Sequence, residues 1–271
     1  MSEVLSFSES EARFLETYLP IEKKDASKLP FVTLTFATSL DSSLALAPGV
    51  RTQLSGAQSK AMTHYLRSRH DAILIGVGTA IADDPGLNCR IDGVGGYGSD
   101  GLDGQPRPII IDPSARWTFN EQSRIFTFAK EGRGRAPYIF TTNSSPPAES
   151  VELLQKYGGK YIPLKVDPTD VEHRRLDWKA LLERLWQEGH HSVMVEGGAS
   201  IINSLLEPQN QALIDSVIIT IAPRWLGQGG VVVSPKRRTD QSGAVIPASL
   251  LQQVRWHQLG EDVVLCGTIS P

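Results

Sequence analysis

The stretch SVMVEGGAS, residues 192–200, contains an apolar run that ends in a carboxylate and two glycines. The segment after it, ASIINSLLE, spaces Ile201, Leu205 and Leu206 for one face of a helix. A strand that passes through glycines into a helix is one βα unit of an α/β protein. Glycines carry no Cβ, so a ligand can approach the main chain closely at this junction.

Two interpretations of Glu196, Gly197 and Gly198 follow from this pattern. In the first, the glycines admit the phosphates of a cofactor to the unpaired N–H groups of the helix, which favour an anion. Glu196 would then face a ligand at the carboxyl end of its strand, where open α/β sheets bind ligands. In the second, the glycines serve only a tight turn. These few residues favour neither interpretation.

Short apolar runs rich in β-branched residues alternate with helical patterns along the chain. The predicted strands span residues 31–37, 71–76, 107–112, 137–142, 160–166 and 192–197. A helix is predicted over 55–69, where Ser55 and Gln58 have the spacing of a capping box. Another helix is predicted over 177–189, beginning at Asp177. This order predicts an α/β fold with a mostly parallel central sheet and helices on both faces.

The C-terminal part of the chain has a different pattern. Residues 216–223, SVIITIAP, predict one long strand, and residues 254–269 predict two strands around a turn at 260–262. We therefore expect an antiparallel C-terminal hairpin at the edge of the parallel sheet. Because no internal repeat or clear linker is visible, we expect a single domain over 31–271, preceded by a helical extension over 1–30.

The composition of the 271-residue chain is that of an ordinary globular protein, 40% hydrophobic and 21% charged. A formal net charge of −3 gives no reason to expect nucleic acid or a membrane as partner. The first residues have no apolar core, and no stretch approaches the ~20 apolar residues of a membrane span. The two cysteines, Cys89 and Cys266, form no disulfide framework. We expect a soluble, cytoplasmic protein.

Residues 93–98, GVGGYG, match the letters of the dinucleotide-binding fingerprint. That fingerprint requires a strand before it and a helix after it. Here the following segment, SDGLDGQPRP, contains more glycines and two prolines, so no helix can begin. We predict a flexible surface loop in its place.

Two further strand ends carry small and polar residues. In residues 71–90, DAILIGVGTAIADDPGLNCR, a strand ends in glycines that precede Thr79 and Asp83. In residues 36–49, FATSLDSSLALAPG, a third strand end places Asp41 at the expected same edge of the sheet. Three uncluttered strand ends favour a cleft over three unrelated turns.

A resemblance to a known family rests on the segments TSLDSSLA, LRSRHDAILIGVGTAIADDPGLNCR, RPIIID, VMVEGGASIINSLL and LIDSVIITIAPRWLGQGG. Together they resemble the reductase family of riboflavin biosynthesis, which comprises the reductase half of bacterial bifunctional enzymes and stand-alone fungal and archaeal reductases. The resemblance runs from about Phe31 to the C-terminus. It implies a dihydrofolate-reductase-like fold, a homodimer, NADPH as cofactor, and a phosphorylated ribosylaminopyrimidine as substrate. The implied reaction is hydride transfer to C1′ of the opened sugar, and no metal is implied.

The resemblance also implies roles for matching positions. Those implied to contact the cofactor are Ala37, Thr79, Asp83, Gly197, Gly198, Ala199 and Ser200. Those implied to contact the substrate are Arg67, Leu87, Arg90 and Glu196. By themselves, Arg67 would be a solvated helix residue and Arg90 a loop charge. Asp41 and Glu196 are the acidic candidates for assisting protonation or holding sugar hydroxyls, although Asp41 could equally cap the amides of Ser43 or Leu44 in a turn.

The chain departs from the bacterial pattern at residues 51–56, RTQLSG, where many bacterial members have a Trp near Gln53. It also lacks the H-x-E and P-C-x-x-C signature of the zinc deaminase of the same pathway. The resemblance is therefore to the stand-alone type, which acts before deamination on 2,5-diamino-6-ribosylamino-4(3H)-pyrimidinone 5′-phosphate. A same-fold reductase for the deaminated pyrimidine and a non-catalytic nucleotide-binding module remain as alternatives. Candidates for contacting the cofactor's 2′-phosphate lie near residues 141–144 or at Lys165.

Overall fold

Strands and helices alternate through the chain in a computed structural model that describes residues 3–20, 28–164, 176–235, 237, 239, 242–245 and 248–269. The strands are β1 (Phe31–Thr38), β2 (Ser43–Ala45), β3 (Ala72–Gly76), β4 (Val94–Gly95), β5 (Gly98–Ser99), β6 (Arg107–Ile111), β7 (Tyr138–Thr141), β8 (Lys160–Pro163), β9 (Ser192–Glu196), β10 (Ser216–Ile221), β11 (Val231–Val232), β12 (Leu251–Leu259) and β13 (Asp262–Ile269). The helices are α1 (Glu9–Ala12), α2 (Ala57–Ser68), α3 (Val77–Asp83), α4 (Arg124–Lys130), α5 (Ala148–Lys156), α6 (Trp178–Gln187) and α7 (Ala199–Leu205).

Within these residues the central sheet has nine strands in the order β12-β13-β10-β1-β9-β3-β6-β7-β8. The seven strands from β10 to β8 pair in parallel, while β13 pairs antiparallel with β10 and with β12. The predicted fold class, a mostly parallel α/β sheet with an antiparallel C-terminal hairpin, is confirmed. The strand predicted over 160–166 is observed as far as Pro163, and residues 165 and 166 lie outside the described residues.

The strand β9 shows why the sheet is covered on both faces. Its successive side chains point to opposite faces, and Val193 and Val195 join the core cluster that contains Ile202 and Leu205 of α7. Met194 joins a different cluster, beneath α2 on the other face. Because both faces are buried, the strand is apolar throughout instead of alternating. This burial explains the apolar run of residues 193–195.

The start of α2 differs from the predicted capping box. The helix begins at Ala57. Its N-cap residue is Gly56, which has no side chain that could accept a hydrogen bond from the first turn. Instead Asp262, at the start of β13, accepts hydrogen bonds from the Gly56 amide at 2.8 Å and the Ser59 hydroxyl at 2.6 Å. The capping-box prediction was wrong because a carboxylate distant in sequence supplies the cap. The C-terminal hairpin thereby fixes the start of α2.

The N-terminal segment, residues 3–20, contains α1 and a single 3-10 turn at Glu16–Tyr18. Its buried Leu15 and Tyr18 belong to the same core cluster as Met62 of α2. The segment thus packs over α2 and the C-terminal hairpin. In the part of the chain that the structure describes, no helix combines the length and apolar character needed to span a bilayer.

Candidate active site

A cleft with a cavity volume of about 710 Å³ opens where the carboxyl ends of β1, β3 and β9 meet. Eleven of the twelve residues predicted for the site line it, and they are Ala37, Arg67, Thr79, Asp83, Leu87, Arg90, Glu196, Gly197, Gly198, Ala199 and Ser200. Asp41 does not line it. A second cavity of about 510 Å³ lies beside Trp178 and Ser204, away from these strand ends, and no predicted site residue borders it. The cleft therefore lies where open α/β sheets bind ligands, at the carboxyl ends of the strands.

The turn between β9 and α7 has a main-chain conformation that L side chains rarely adopt. Gly197 has φ +59° and Gly198 has φ +85°. A Cβ at residue 198 would stand 3.1 Å from the Thr79 hydroxyl oxygen, and one at residue 197 would stand 3.5 Å from the Thr79 methyl carbon. The two glycines thus allow the positive φ angles of the turn, and they also leave a narrow gap between the turn and Thr79. The two interpretations drawn from the sequence are not exclusive.

Thr79 and Asp83 lie on α3, which follows β3 directly and faces this turn across the gap. Asp84 ends the helix with φ +39°, and its carboxylate accepts from the Arg124 amide at 3.2 Å. Burial raises the pKa of Asp83 above its ordinary value, against an opposing effect of Arg51. The residues that the resemblance implies as cofactor contacts therefore come together from the ends of two strands, β3 and β9.

Arg67 and Glu196 form an ion pair across the cleft. Arg67 Nη2, at the end of α2, donates to Glu196 Oε2, at the end of β9, over 2.8 Å. The two side chains are 15% and 16% exposed, so the pair is shielded but still accessible. Arg67 Nη1 donates to the Asn88 carbonyl at 3.2 Å, while the buried Nε has no partner among the described residues. Two of the three guanidinium nitrogens of Arg67 are therefore fixed by the Glu196 carboxylate and the Asn88 carbonyl.

Arg90 is held by a histidine that the sequence prediction missed. His64, buried on α2, presents Nδ1 3.2 Å from the Arg90 amide and Nε2 3.0 Å from Arg90 Nη2. Burial, together with Arg67 and Arg90, lowers the pKa of His64 to about 2. The signal was available in the sequence, because His64 and Arg67 are three residues apart on a predicted helix and so share one face.

The segment that leads to Arg90 is fixed by side chains from the glycine-rich region. Gln105 accepts from the Cys89 amide at 2.9 Å and donates to the Cys89 carbonyl at 2.8 Å. Asn88 Nδ2 lies 2.8 Å from the Tyr97 hydroxyl, to which it donates. Leu87 is buried and has φ +51°. These contacts fix the path of the chain from Leu87 to Arg90 along the cleft.

The glycine-rich segment 93–98 contains the short strands β4 and β5 and no helix, so rejection of the dinucleotide fingerprint is confirmed. Gly93 and Gly98 are exposed, as predicted for a surface loop, but parts of the segment are packed inward. Tyr97 is buried, and a Cβ at Gly95 would meet main-chain atoms at 2.7 Å. The glycines permit close packing of the chain against itself.

Asp41 lies in the turn after β1 and forms hydrogen bonds with the loop at residues 226–227. Its carboxylate accepts from the Ser39 hydroxyl, from the Leu226 amide at 3.2 Å and from the Gly227 amide at 2.7 Å. The bonds from Ser39 and Leu226 lower its pKa below the ordinary value. The structure thus places Asp41 in a turn, although it caps amides other than those of Ser43 and Leu44. The role of assisting protonation has no geometric support at Asp41.

The chain is similar to known proteins over most of its length. Residues 30–265 match the protein family described as RibD C-terminal domain. The chain belongs to this reductase family. The reductase is 42% identical over 260 residues to the 2,5-diamino-6-ribosylamino-4(3H)-pyrimidinone 5′-phosphate reductase of Debaryomyces hansenii, with 95% of each chain covered. It is 41% identical over 272 residues to the enzyme of that name from Eremothecium gossypii, covering 98% of this chain and 99% of the other.

A solved structure extends the comparison from sequence to fold. The riboflavin biosynthesis reductase of Saccharomyces cerevisiae matches 97% of this chain and 100% of its own, with a TM-score of 0.75 at 34% identity. The family predicted from the sequence motifs is confirmed, and the reductase is an oxidoreductase of riboflavin biosynthesis.

Proposed function

We propose that this reductase uses NADPH to reduce the ribosyl group of 2,5-diamino-6-ribosylamino-4(3H)-pyrimidinone 5′-phosphate to a ribityl group. The observation that carries the proposal is one cleft in which a glycine turn faces Thr79 and which Arg67 and Arg90 also line. The names of the Debaryomyces and Eremothecium relatives support the choice of pyrimidine.

The residues of the cofactor side fit a dinucleotide. A side chain at Gly198 would narrow the gap to Thr79, and the turn leads into α7 at Ala199 and Ser200, which also line the cleft. Ala37 lies at the end of β1 on the same cleft. When bound, the cofactor supplies hydride to C1′ of the opened sugar. The chain's own part is to hold donor and acceptor in register and to exclude water.

The substrate side carries the positive charge that a phosphate requires. The basic side chains lining the cleft are Arg51, Lys60, Arg67, Arg90 and Arg124. Hydrogen bonds from guanidinium groups to phosphate are charge-assisted and directional. Glu196, already bonded to Arg67, provides an acceptor suited to sugar hydroxyls. We assign phosphate binding to Arg90, and sugar binding to Glu196 and Arg67.

The deaminated pyrimidine is the second candidate substrate, since the fold alone does not distinguish the two. A direct assay follows cofactor oxidation with each pyrimidine phosphate, using NADPH and NADH in parallel. We expect turnover with NADPH and the diamino compound, and a much lower kcat/KM with the other combinations. Preference for the deaminated pyrimidine, or for NADH, would reject that part of the proposal.

We also propose a cytoplasmic homodimer. The family resemblance implies a dimer, and the strand β10 lies inside the sheet between β1 and β13, so it leaves no edge of its own. One edge of the sheet is β12, where Val254 and Trp256 are 41% and 63% exposed. Such an apolar edge favours pairing with a second copy. Sedimentation as a monomer at micromolar concentration would contradict the dimer.

A further inference from the structure

One histidine contacts two different groups of the same arginine. His64 Nδ1 lies 3.2 Å from the main-chain amide of Arg90. His64 Nε2 lies 3.3 Å from Arg90 Nε and 3.0 Å from Arg90 Nη2. The His64 carbonyl also accepts from the Cys89 thiol at 3.1 Å. The histidine is only 4% exposed, so water cannot replace these contacts easily.

The chemistry of the two partners determines the charge of the ring. An amide N–H and a guanidinium are donors only, so they require an acceptor. A protonated imidazole has no lone pair to offer, whereas a neutral one has a single lone pair in either tautomer. The ring is therefore neutral, and in each tautomer its lone pair holds either the main chain or the guanidinium of Arg90. The low pKa of His64, caused by burial and by Arg67 and Arg90, agrees with this.

Arg67 and Arg90 are consequently held in different ways. Arg67 is bonded to the Glu196 carboxylate, which offsets its positive charge. Arg90 is held by an uncharged acceptor, and the ion pairs found among the described residues do not include it. A carboxylate in place of His64 would compete with a phosphate for the guanidinium. A neutral acceptor orients the guanidinium and leaves its charge available.

We propose that His64 is a positioning residue that orients Arg90 toward the substrate's phosphate while leaving the arginine's full charge for that phosphate. This inference rests on the proposed function and deepens it. It makes the phosphate the specific group whose recognition depends on His64. The cofactor side of the cleft, formed by Thr79 and the glycine turn, should be independent of it.

The test compares His64→Leu, which removes the acceptor, with His64→Gln, which keeps a neutral one. We expect His64→Leu to raise the substrate KM about tenfold, with kcat and NADPH affinity nearly unchanged. His64→Gln should recover most of the loss. With the dephosphorylated substrate, kcat/KM should be the same in all three proteins. An equal loss with the dephosphorylated substrate, or a loss of NADPH affinity, would show a merely structural role and overturn the proposal.

Binding of ribose 5-phosphate, measured by calorimetry, separates this inference from the proposed reaction. The sugar phosphate is a fragment of the proposed substrate and requires no turnover. We expect its Kd to rise about tenfold in His64→Leu and little in His64→Gln. Unchanged binding in His64→Leu overturns the role of His64 even if the enzyme is active. Absence of turnover by the unmodified enzyme, with the binding difference intact, rejects the reaction alone.

Discussion

Arg67 and Glu196 are paired at 2.8 Å across the cleft, so two of the predicted substrate contacts bind each other. The pair joins the end of α2 to the end of β9. A substrate hydroxyl that enters this position meets a preformed acceptor beside a preformed donor, and little side-chain ordering remains to be done on binding. Arg90 lies in the same cleft without such a carboxylate partner among the described residues, and this difference predicts different effects of substitution.

Replacement of Arg90 by alanine should affect the substrate alone. A charge-assisted contact to phosphate contributes about 1.5–3 kcal/mol, so the substrate KM should rise roughly ten- to a hundredfold. The KM for NADPH should change little. Steady-state kinetics with each ligand varied in turn measures both values, and Arg13→Ala, at an exposed position, is the control. Equal effects on the two ligands would contradict the assignment of Arg90 to the phosphate.

Replacement of Glu196 by glutamine distinguishes two roles for this carboxyl group. If it holds sugar hydroxyls, the amide retains part of the contact, and we expect a rise in substrate KM of about tenfold with kcat nearly unchanged. If instead it transfers a proton, kcat should fall by about 10²–10⁴-fold. We expect the first result, because the carboxylate already accepts a hydrogen bond from Arg67. A large loss in kcat at unchanged KM would establish the second.

Much of the fold and of the cleft could be predicted from the sequence because local patterns determine them. The apolar runs of β3 and β9 end in glycines, and parallel strands place such ends at one edge of the sheet. Long-range contacts could not be predicted in this way. The cap on α2 comes from Asp262, 206 residues after Gly56, and no spacing rule connects the two.

The same limit explains the difference between Asp41 and His64. Asp41 follows a strand end and therefore matched the pattern of a site residue, but the loop at Leu226 and Gly227 provides its partners. His64 precedes Arg67 by one helical turn, yet its partner Arg90 lies after the next strand and helix. Only the folded chain shows which of the two faces the cleft.

The distant cap on α2 predicts a stability effect. Asp262→Ala removes the acceptor for the Gly56 amide and the buried Ser59 hydroxyl. Loss of an N-cap costs about 0.5–2 kcal/mol, and a buried donor left unpaired costs about 1–3 kcal/mol. We expect the free energy of unfolding, measured in urea, to fall by about 2 kcal/mol. The matched control is Asp177→Ala, which removes the N-cap of α6 and should leave the substrate KM unchanged. Asp262→Ala, in contrast, should raise the substrate KM, because it displaces the helix that carries His64 and Arg67.

Two buried histidines predict loss of stability in mild acid. Burial lowers the pKa of His70 to about 4 and, with Arg67 and Arg90, that of His64 to about 2. In the unfolded chain both titrate near pH 6.5, so between that pH and the folded pKa the unfolded state binds more protons. The contribution of these two histidines to the stability of the folded state is therefore fully present above about pH 6.5, and it is lost as the pH falls toward 4.

The acid effect can be measured at two pH values. Each of the two histidines should contribute about 2 kcal/mol to the loss in unfolding free energy between pH 7 and pH 5. Urea unfolding at the two pH values gives the combined loss from all groups that titrate between them, including His190, whose pKa burial lowers to about 4. His70→Gln should reduce the difference by one histidine's share. Ring nitrogens of His70 lie 2.7 Å from the Thr33 hydroxyl and from the Leu66 carbonyl, so glutamine keeps a polar group there. An unchanged pH difference in His70→Gln would contradict its protonation as a cause.

The glycine turn gives the sharpest test of the cofactor site. Gly198→Ala places a methyl group 3.1 Å from the Thr79 hydroxyl oxygen and forces an L residue into φ +85°. Main-chain strain of this kind costs about 1–3 kcal/mol. The methyl group also narrows the gap proposed to admit the pyrophosphate, so NADPH affinity should fall at least about tenfold, or roughly 1.4 kcal/mol.

Gly189→Ala separates the strain from the obstruction. Gly189, after α6, has φ +83°, a Cβ added there would meet no atom within 4 Å, and the residue does not line the cleft. This variant should therefore lose stability through strain and keep its affinity for NADPH. Cofactor titration by fluorescence beside a thermal melt measures both properties in each variant. If Gly198→Ala melts early like Gly189→Ala but binds NADPH as the unmodified enzyme does, the glycines serve the turn alone, and the pyrophosphate must bind elsewhere in the cleft.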